Sequence, residues 1–160
     1  MKPSRIIVLA AMLFGLAACA PRNVSTSSYY SSATTYMNDE GDGSITVRAY
    51  GQGRNHGDAI EQARKNAVRD VIFKGVNVPG NALLSKPLVT GVNAEEKYQS
   101  FFGAFFTDGG MYQQFASSED RRGGSTKRQA NTMQVKFATT VRVKRSELRQ
   151  YLIDNGIIKP

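Results

Sequence analysis

One segment constrains the fold more than any other: residues 44–74, where a strand pattern gives way to a helix pattern across glycines. In residues 44–51, Ile45, Val47 and Ala49 alternate with Thr46, Arg48 and Tyr50. A period of two marks a strand with one buried face. Gly51 and Gly53 interrupt it, and a helix is expected over residues 56–74. Asn55 is placed to cap that helix, since its side-chain oxygen can accept from a first-turn N–H that has no partner within the helix. Ala59, Ile60, Ala63, Ala67, Val68, Val71 and Ile72 recur at spacings of three and four, with Glu61, Arg64, Lys65 and Arg69 on the other side. This is an amphipathic helix. Its alanine column permits close approach to a sheet, and Gly75 suits its end. Gly51-x-Gly53-x-x-x-Gly57 is superficially similar to a dinucleotide loop, but its spacing is off by one residue and no βαβ repeat accompanies it. A tight strand-to-helix turn with positive φ is expected instead.

The rest of the chain extends this unit into a single α+β domain over residues 44–160. The order is β-α-α-β-β-α, with an antiparallel sheet of about three strands carrying helices on one face. Residues 76–92 form a long connection, punctuated by Pro79, Gly80, Pro87 and Gly91, whose Leu83, Leu84, Leu88 and Val89 are expected to fold back on the core. Connections of that length are uncommon unless functional or mobile, so this loop is a candidate contact surface. A second helix is expected from Asn93, with Asn93 and Glu96 as a capping pair. Its Tyr98, Phe101, Phe102, Phe105 and Phe106 are expected to supply core, although adjacent pairs cover more than one helix side. Residues 111–118 and 133–144 form a hairpin with its tip at 119–125. A last helix follows Ser146 as N-cap, burying Leu148, Tyr151 and Leu152, and Ile157 and Ile158 dock behind it.

Several chemistries are excluded. Cys19 is the only cysteine and His56 the only histidine. Disulfides are therefore out, and zinc sites, which draw several ligands from Cys and His, are not expected. His56 has Asp58 nearby but no nucleophile motif, and reads as a surface histidine. Asp39, Glu40 and Asp42 are similar to half a calcium loop, but lack the twelve-residue pattern that ends in Glu, and read as the solvated end of a linker. No cofactor is expected. Asp108 and Glu119 stay open as a carboxylate pair, which a glycosidase would hold about 5–9.5 Å apart.

Lys2 and Arg5 precede residues 6–18, which carry no charge, and Leu16-Ala17-Ala18-Cys19 closes that stretch. A basic start, a short apolar run and small residues at the cut make a secretory signal. The run is shorter than the roughly 20 residues a membrane span needs. Leu16-Ala17-Ala18-Cys19 resembles the lipobox of bacterial lipoproteins. The resemblance implies cleavage before Cys19 and acylation of that residue. Ala20, where an Asp would retain a lipoprotein in the inner membrane, implies an outer-membrane address; a periplasm-facing domain is expected, with a surface-exposed one left open. Cleavage would remove Lys2 and Arg5 from the 21 basic residues and none of the 13 acidic ones, lowering the net charge from +8 to +6. For an exported chain, nucleic acid is a poor partner. Anionic lipid headgroups, anionic envelope polymers or an acidic protein face fit better, with solubility alone as the plain alternative. Arg121, Arg122, Lys127 and Arg128 at the hairpin tip, with Arg142, Lys144 and Arg145, form the densest basic region and the candidate partner or anion surface. Residues 20–43 are rich in Ser, Thr and Asn, and read as a tether with an r.m.s. reach of roughly 25–30 Å. Tyr29, Tyr30 and Tyr36 are unusual for a spacer. The chain thus divides into a signal (1–18), a lipidated cysteine and tether (19–43) and a domain (44–160).

The segment ITVRAYGQGRNHGDAIEQARKNAVRDVI, the strand VKFATTVRVKR and the terminal SELRQYLIDNGII together carry a second resemblance. They are similar to the small outer-membrane lipoproteins of the twenty-kilodalton type and to the amino-terminal domain of flagellar assembly protein T. The matching positions are Gly51, Gly53, Ala59, Ala63, Ala67 and the Leu148/Leu152 helix before Gly156; residues 76–130 do not match. The resemblance implies a non-enzymatic envelope component, lipid-anchored and acting as a binding or scaffold module for an envelope protein. An activator of a cell-wall synthase and an envelope hydrolase are the alternatives.

Overall fold

A computed structural model describes residues 33–119, 126–127 and 135–160. Strand β1 (Thr35–Asp39) leads into β2 (Ile45–Gly53) and helix α1 (His56–Phe73). Three short helices follow: α2 (Ala82–Ser85), α3 (Ala94–Lys97) and α4 (Gln99–Phe105). A 3-10 helix (Met111–Phe115) runs into β3 (Ala116–Ser118); then come β4 (Thr126–Lys127), β5 (Val135–Val143) and α5 (Arg145–Asp154). The fold is α+β. Its antiparallel sheet runs β1-β2-β5-β3, with the two-residue β4 also paired to β5.

The central pair is β2 with β5, in register from Ile45↔Val143 to Gly53↔Val135. Alternation then sends Ile45, Val47, Ala49, Val141 and Val143 to one face, all essentially buried. Helix α1 covers this face with Ala59, Ala63, Ala67, Val68, Val71 and Ile72. Each fully buried Val, Ile or Leu contributes about 1.5–3 kcal/mol of transfer free energy, so this layer is the main source of stability. Arg48, Tyr50, Thr140 and Arg142 point to the other face and are partly exposed.

Gly51 and Gly53 serve close approach rather than an unusual φ, which corrects the expected positive-φ turn. A Cβ on Gly51 would lie 1.9 Å from the Ala59 carbonyl oxygen and 2.4 Å from the Ala63 nitrogen. A Cβ on Gly53 would lie 2.5 Å from the Ala59 nitrogen. Strand backbone and helix backbone touch through glycine on one side and alanine on the other. Asn55 caps α1 as expected, its side chain accepting from the Asp58 N–H at 2.9 Å. Gly75 ends the helix at φ 77°.

Residues 35–39, which the sequence placed in the tether, belong to the sheet instead. They form β1 and pair with β2 at Tyr36↔Val47 and Asp39↔Ile45, with a bulge between Tyr36 and Asn38. Tyr36 packs against the core, which accounts for one of the unusual aromatics. The acidic run is likewise not a solvated linker end but the β1–β2 turn. The Gly41 N–H donates to Asp39 Oδ1 at 3.0 Å, the Ser44 N–H to Asp42 Oδ1 at 2.9 Å, and Thr46 Oγ1 to Glu40 Oε1 at 2.6 Å.

Other expectations shift locally. Asn93 sits at φ 53° without a side-chain cap, a conformation that Asn tolerates better than most residues, and the helix it was to start is split at Tyr98. Phe102, Phe105 and Phe106 are buried and Phe101 is partly so. Residues 111–115 form a 3-10 helix rather than strand; Tyr112 and Phe115, three apart, fall on one side at that pitch and are both buried. Ser146 does not cap α5, which begins at Arg145. Ser146 is thus already inside the helix, and its N–H donates to the Gly43 carbonyl at 3.0 Å, which ties the start of α5 to the β1–β2 turn. Val89 folds onto the core and Leu88 packs against it, but Leu83 stays 76% exposed.

Candidate functional site

Of the basic surface expected from sequence, Lys127, Arg142, Lys144 and Arg145 lie among the described residues, spread from β4 to the start of α5. Cys19, Arg121, Arg122 and Arg128 lie outside the described residues. Lys127 pairs with Lys136 near the start of β5, whereas Lys144 follows its end. At about 3.4 Å per residue the two ends are roughly 27 Å apart. Arg142 and Lys144 are also matched by carboxylates. Arg142 Nη2 lies 2.5 Å from Asp42 Oδ2, and Lys144 Nζ lies 3.1 Å from Glu147 Oε2. The hydrogen bonds from Ser44, with Arg142 adding to them, hold the Asp42 carboxyl below its ordinary value. These two cations add little net charge to any surface.

The two carboxylates that the sequence kept open, Asp108 and Glu119, each have a polar partner. Lys65 Nζ lies 2.5 Å from Asp108 Oδ1 and holds that carboxyl below its ordinary value. A general acid needs the opposite shift. Glu119 accepts from Ser117 Oγ at 3.1 Å. His56 is exposed, with its ring edge-on to Phe137 at 4.1 Å. The buried Tyr112 donates its hydroxyl to Glu61 Oε1, which also accepts from Gln113. Glu61 Oε2 takes Arg64, whose Nη2 reaches the Ala116 carbonyl at 2.6 Å. This cluster ties α1 to the 3-10 helix and to β3.

A groove at the other end of the domain gathers unmatched charge. It encloses about 470 Å³, with Leu88, Val89, Val92, Ala94, Ile157 and Ile158 among its apolar lining and Lys97, Arg149 and Lys159 as its charged residues. Local chemistry builds each wall. Gly75 turns the chain so tightly that a Cβ there would be 2.1 Å from the Ser85 carbonyl oxygen. The chain then returns along α1, with the Leu88 N–H donating to the Val71 carbonyl at 3.2 Å and the Val89 N–H to the Ile72 carbonyl at 2.9 Å. Opposite, Gly156 at φ 70° lets the Ile157 N–H reach the Leu152 carbonyl at 2.9 Å, which turns Ile157 inward. Lys97 Nζ lies 5.0 Å from the Tyr98 ring centre. One turn before Arg149, Arg145 is half-buried and holds the Leu83 and Lys86 carbonyls at 3.2 and 3.0 Å. Burial, and then the charge of Arg149, lower the Arg145 guanidinium from its ordinary value.

The sequence marked the 76–92 side of this groove, but not Lys97, Arg149 or Lys159. Those cations stand 62 positions apart at the extremes and form no local run. Only the docking of Ile157 and Ile158, which the sequence did suggest, pointed to the two segments meeting. The chain matches no protein-family model, no curated protein and no solved structure. Among the described residues, no helix is long and apolar enough to cross a membrane. Among the same residues, no group of three or more His, Cys, Asp or Glu side chains could hold a metal ion.

Proposed function

We propose that this is a non-enzymatic bacterial lipoprotein, anchored through Cys19 to the outer membrane, whose α+β domain serves in the periplasm as a binding or scaffold module. The observation that carries the reading is the run Leu16-Ala17-Ala18-Cys19 behind a basic start and an uncharged stretch, with the first strand of the domain at Thr35–Asp39. The resemblance of residues 45–72 to small outer-membrane lipoproteins points the same way. The groove of three cations over an apolar floor gives the module a contact surface that needs no catalytic group. The hairpin tip around Arg121 and Arg122 is the second candidate for partner capture. Metabolic labelling with palmitate and fractionation of cells test the anchor. The native chain takes label and sediments with the outer membrane, and Cys19→Ser abolishes the label and removes the chain from the outer-membrane fraction. A Cys19→Ser chain that still took label would remove the reading.

A further inference from the structure

Three features of the groove point outward from the domain in chemical character. Its charged lining residues are all cationic: Lys97, Arg149 and Lys159, each exposed. Val92, in the same lining, is 93% exposed, and Leu83, whose carbonyl Arg145 holds, is 76% exposed. The nearby carboxylates are partly engaged: Glu95 pairs with Arg69 at 2.9 Å and Asp154 accepts from Gln150 at 2.8 Å, which leaves Glu96 beside Lys97. Exposed aliphatic side chains among lysines and arginines are the composition of a surface that lies in a lipid headgroup layer.

The path of the chain favours that occupant. Thr34 Oγ1 donates to Asp70 Oδ2 at 2.5 Å, on the last turn of α1. The next two carbonyls, of Val71 and Ile72, receive Leu88 and Val89 of the groove. The segment leading back to Cys19 therefore joins the domain at the groove's end of α1. Fourteen residues lie between Cys19 and Thr34, or fifteen steps along the chain. At no more than about 3.3–3.6 Å each, they hold the domain within roughly 50 Å of residue 19.

We propose that the groove makes a second, non-covalent contact with the membrane. Lys97, Arg149 and Lys159 take the phosphates of anionic phospholipids, while Val92 and Leu83 enter the interfacial layer. The proposal rests on the reading of the chain as an envelope protein, but its test does not depend on acylation.

The test uses chain 19–160 carrying Cys19→Ser, which bears no acyl group. It is mixed with vesicles of phosphatidylcholine alone, or of phosphatidylcholine and phosphatidylglycerol in equal parts. Binding to the anionic vesicles only is expected, and its loss at about 1 M salt, where the Debye length is about 3 Å. Each cation near an anionic surface is worth about fivefold in affinity, so Lys97→Gln with Arg149→Gln should cost about 25-fold. Arg121→Gln with Arg122→Gln should leave most of the affinity in place. Equal binding to neutral vesicles, or loss with the hairpin variant and not with the groove variant, overturns the proposal. Both pairs keep the native unfolding midpoint if the fold is intact. A photocrosslinker at Val92 that captures a protein in cells, with no vesicle binding in vitro, also overturns the lipid contact and leaves the binding-module reading standing.

Discussion

At Gly51 a single hydrogen atom in place of a methyl group decides how closely strand and helix meet. A Cβ there would meet backbone atoms of α1, and no rotamer change can relieve it. Gly51→Ala is expected to cost about 2–3 kcal/mol, in the range of core overpacking, read as a lower urea midpoint with little change in slope. Asp42 gives a second prediction at this scale. Its carboxyl is held below the ordinary value of 3.8 by Ser44, with Arg142 adding to the effect. A carboxyl depressed on folding stabilises the fold fully above its unfolded value, and that contribution disappears as pH falls through the folded value. Stability should therefore decline below about pH 4, and Asp42→Asn should flatten that part of the profile of urea midpoint against pH.

Among elements, β1 shows where sequence reading stops. The Ser- and Thr-rich composition of residues 20–43 has no strand alternation strong enough to read, and a bulge at Met37 breaks the little there is. What makes residues 35–39 a strand is the free edge of β2, a tertiary fact. By contrast β2, α1 and β5 were legible because period and burial agree along each of them. The Asn55 cap was legible for the same reason: it is local. Asn93 was misread because a capping pair in sequence says nothing of the backbone angle its neighbours impose. The groove was the least visible feature, since its cations come from α3, α5 and the last turn of chain. Thr34 fastens the chain just before β1 to Asp70, whose other oxygen lies 2.8 Å from Lys74 Nζ. Thr34→Val should lower stability by about 1–2 kcal/mol, as loss of a hydrogen bond to a charged group does. It should also speed protease cleavage near residue 33, while the rest of the domain stays protected.

Over the whole molecule, the sheet joins segments far apart in the chain. Ile45 pairs with Val143, almost a hundred residues later, and the helices between them pack on what that pairing creates. The long edge of β2 has its partner only when β5 arrives. Pairings of such separation fold slowly, because the loop must close before its contacts form. A chain that crosses a membrane unfolded, amino terminus first, gains from that delay. Were this chain exported in that way, as the proposed function requires, the emerged portion would lack the central partner of β2 while β5 was still on the near side, and the sheet would close only when its last strand was through.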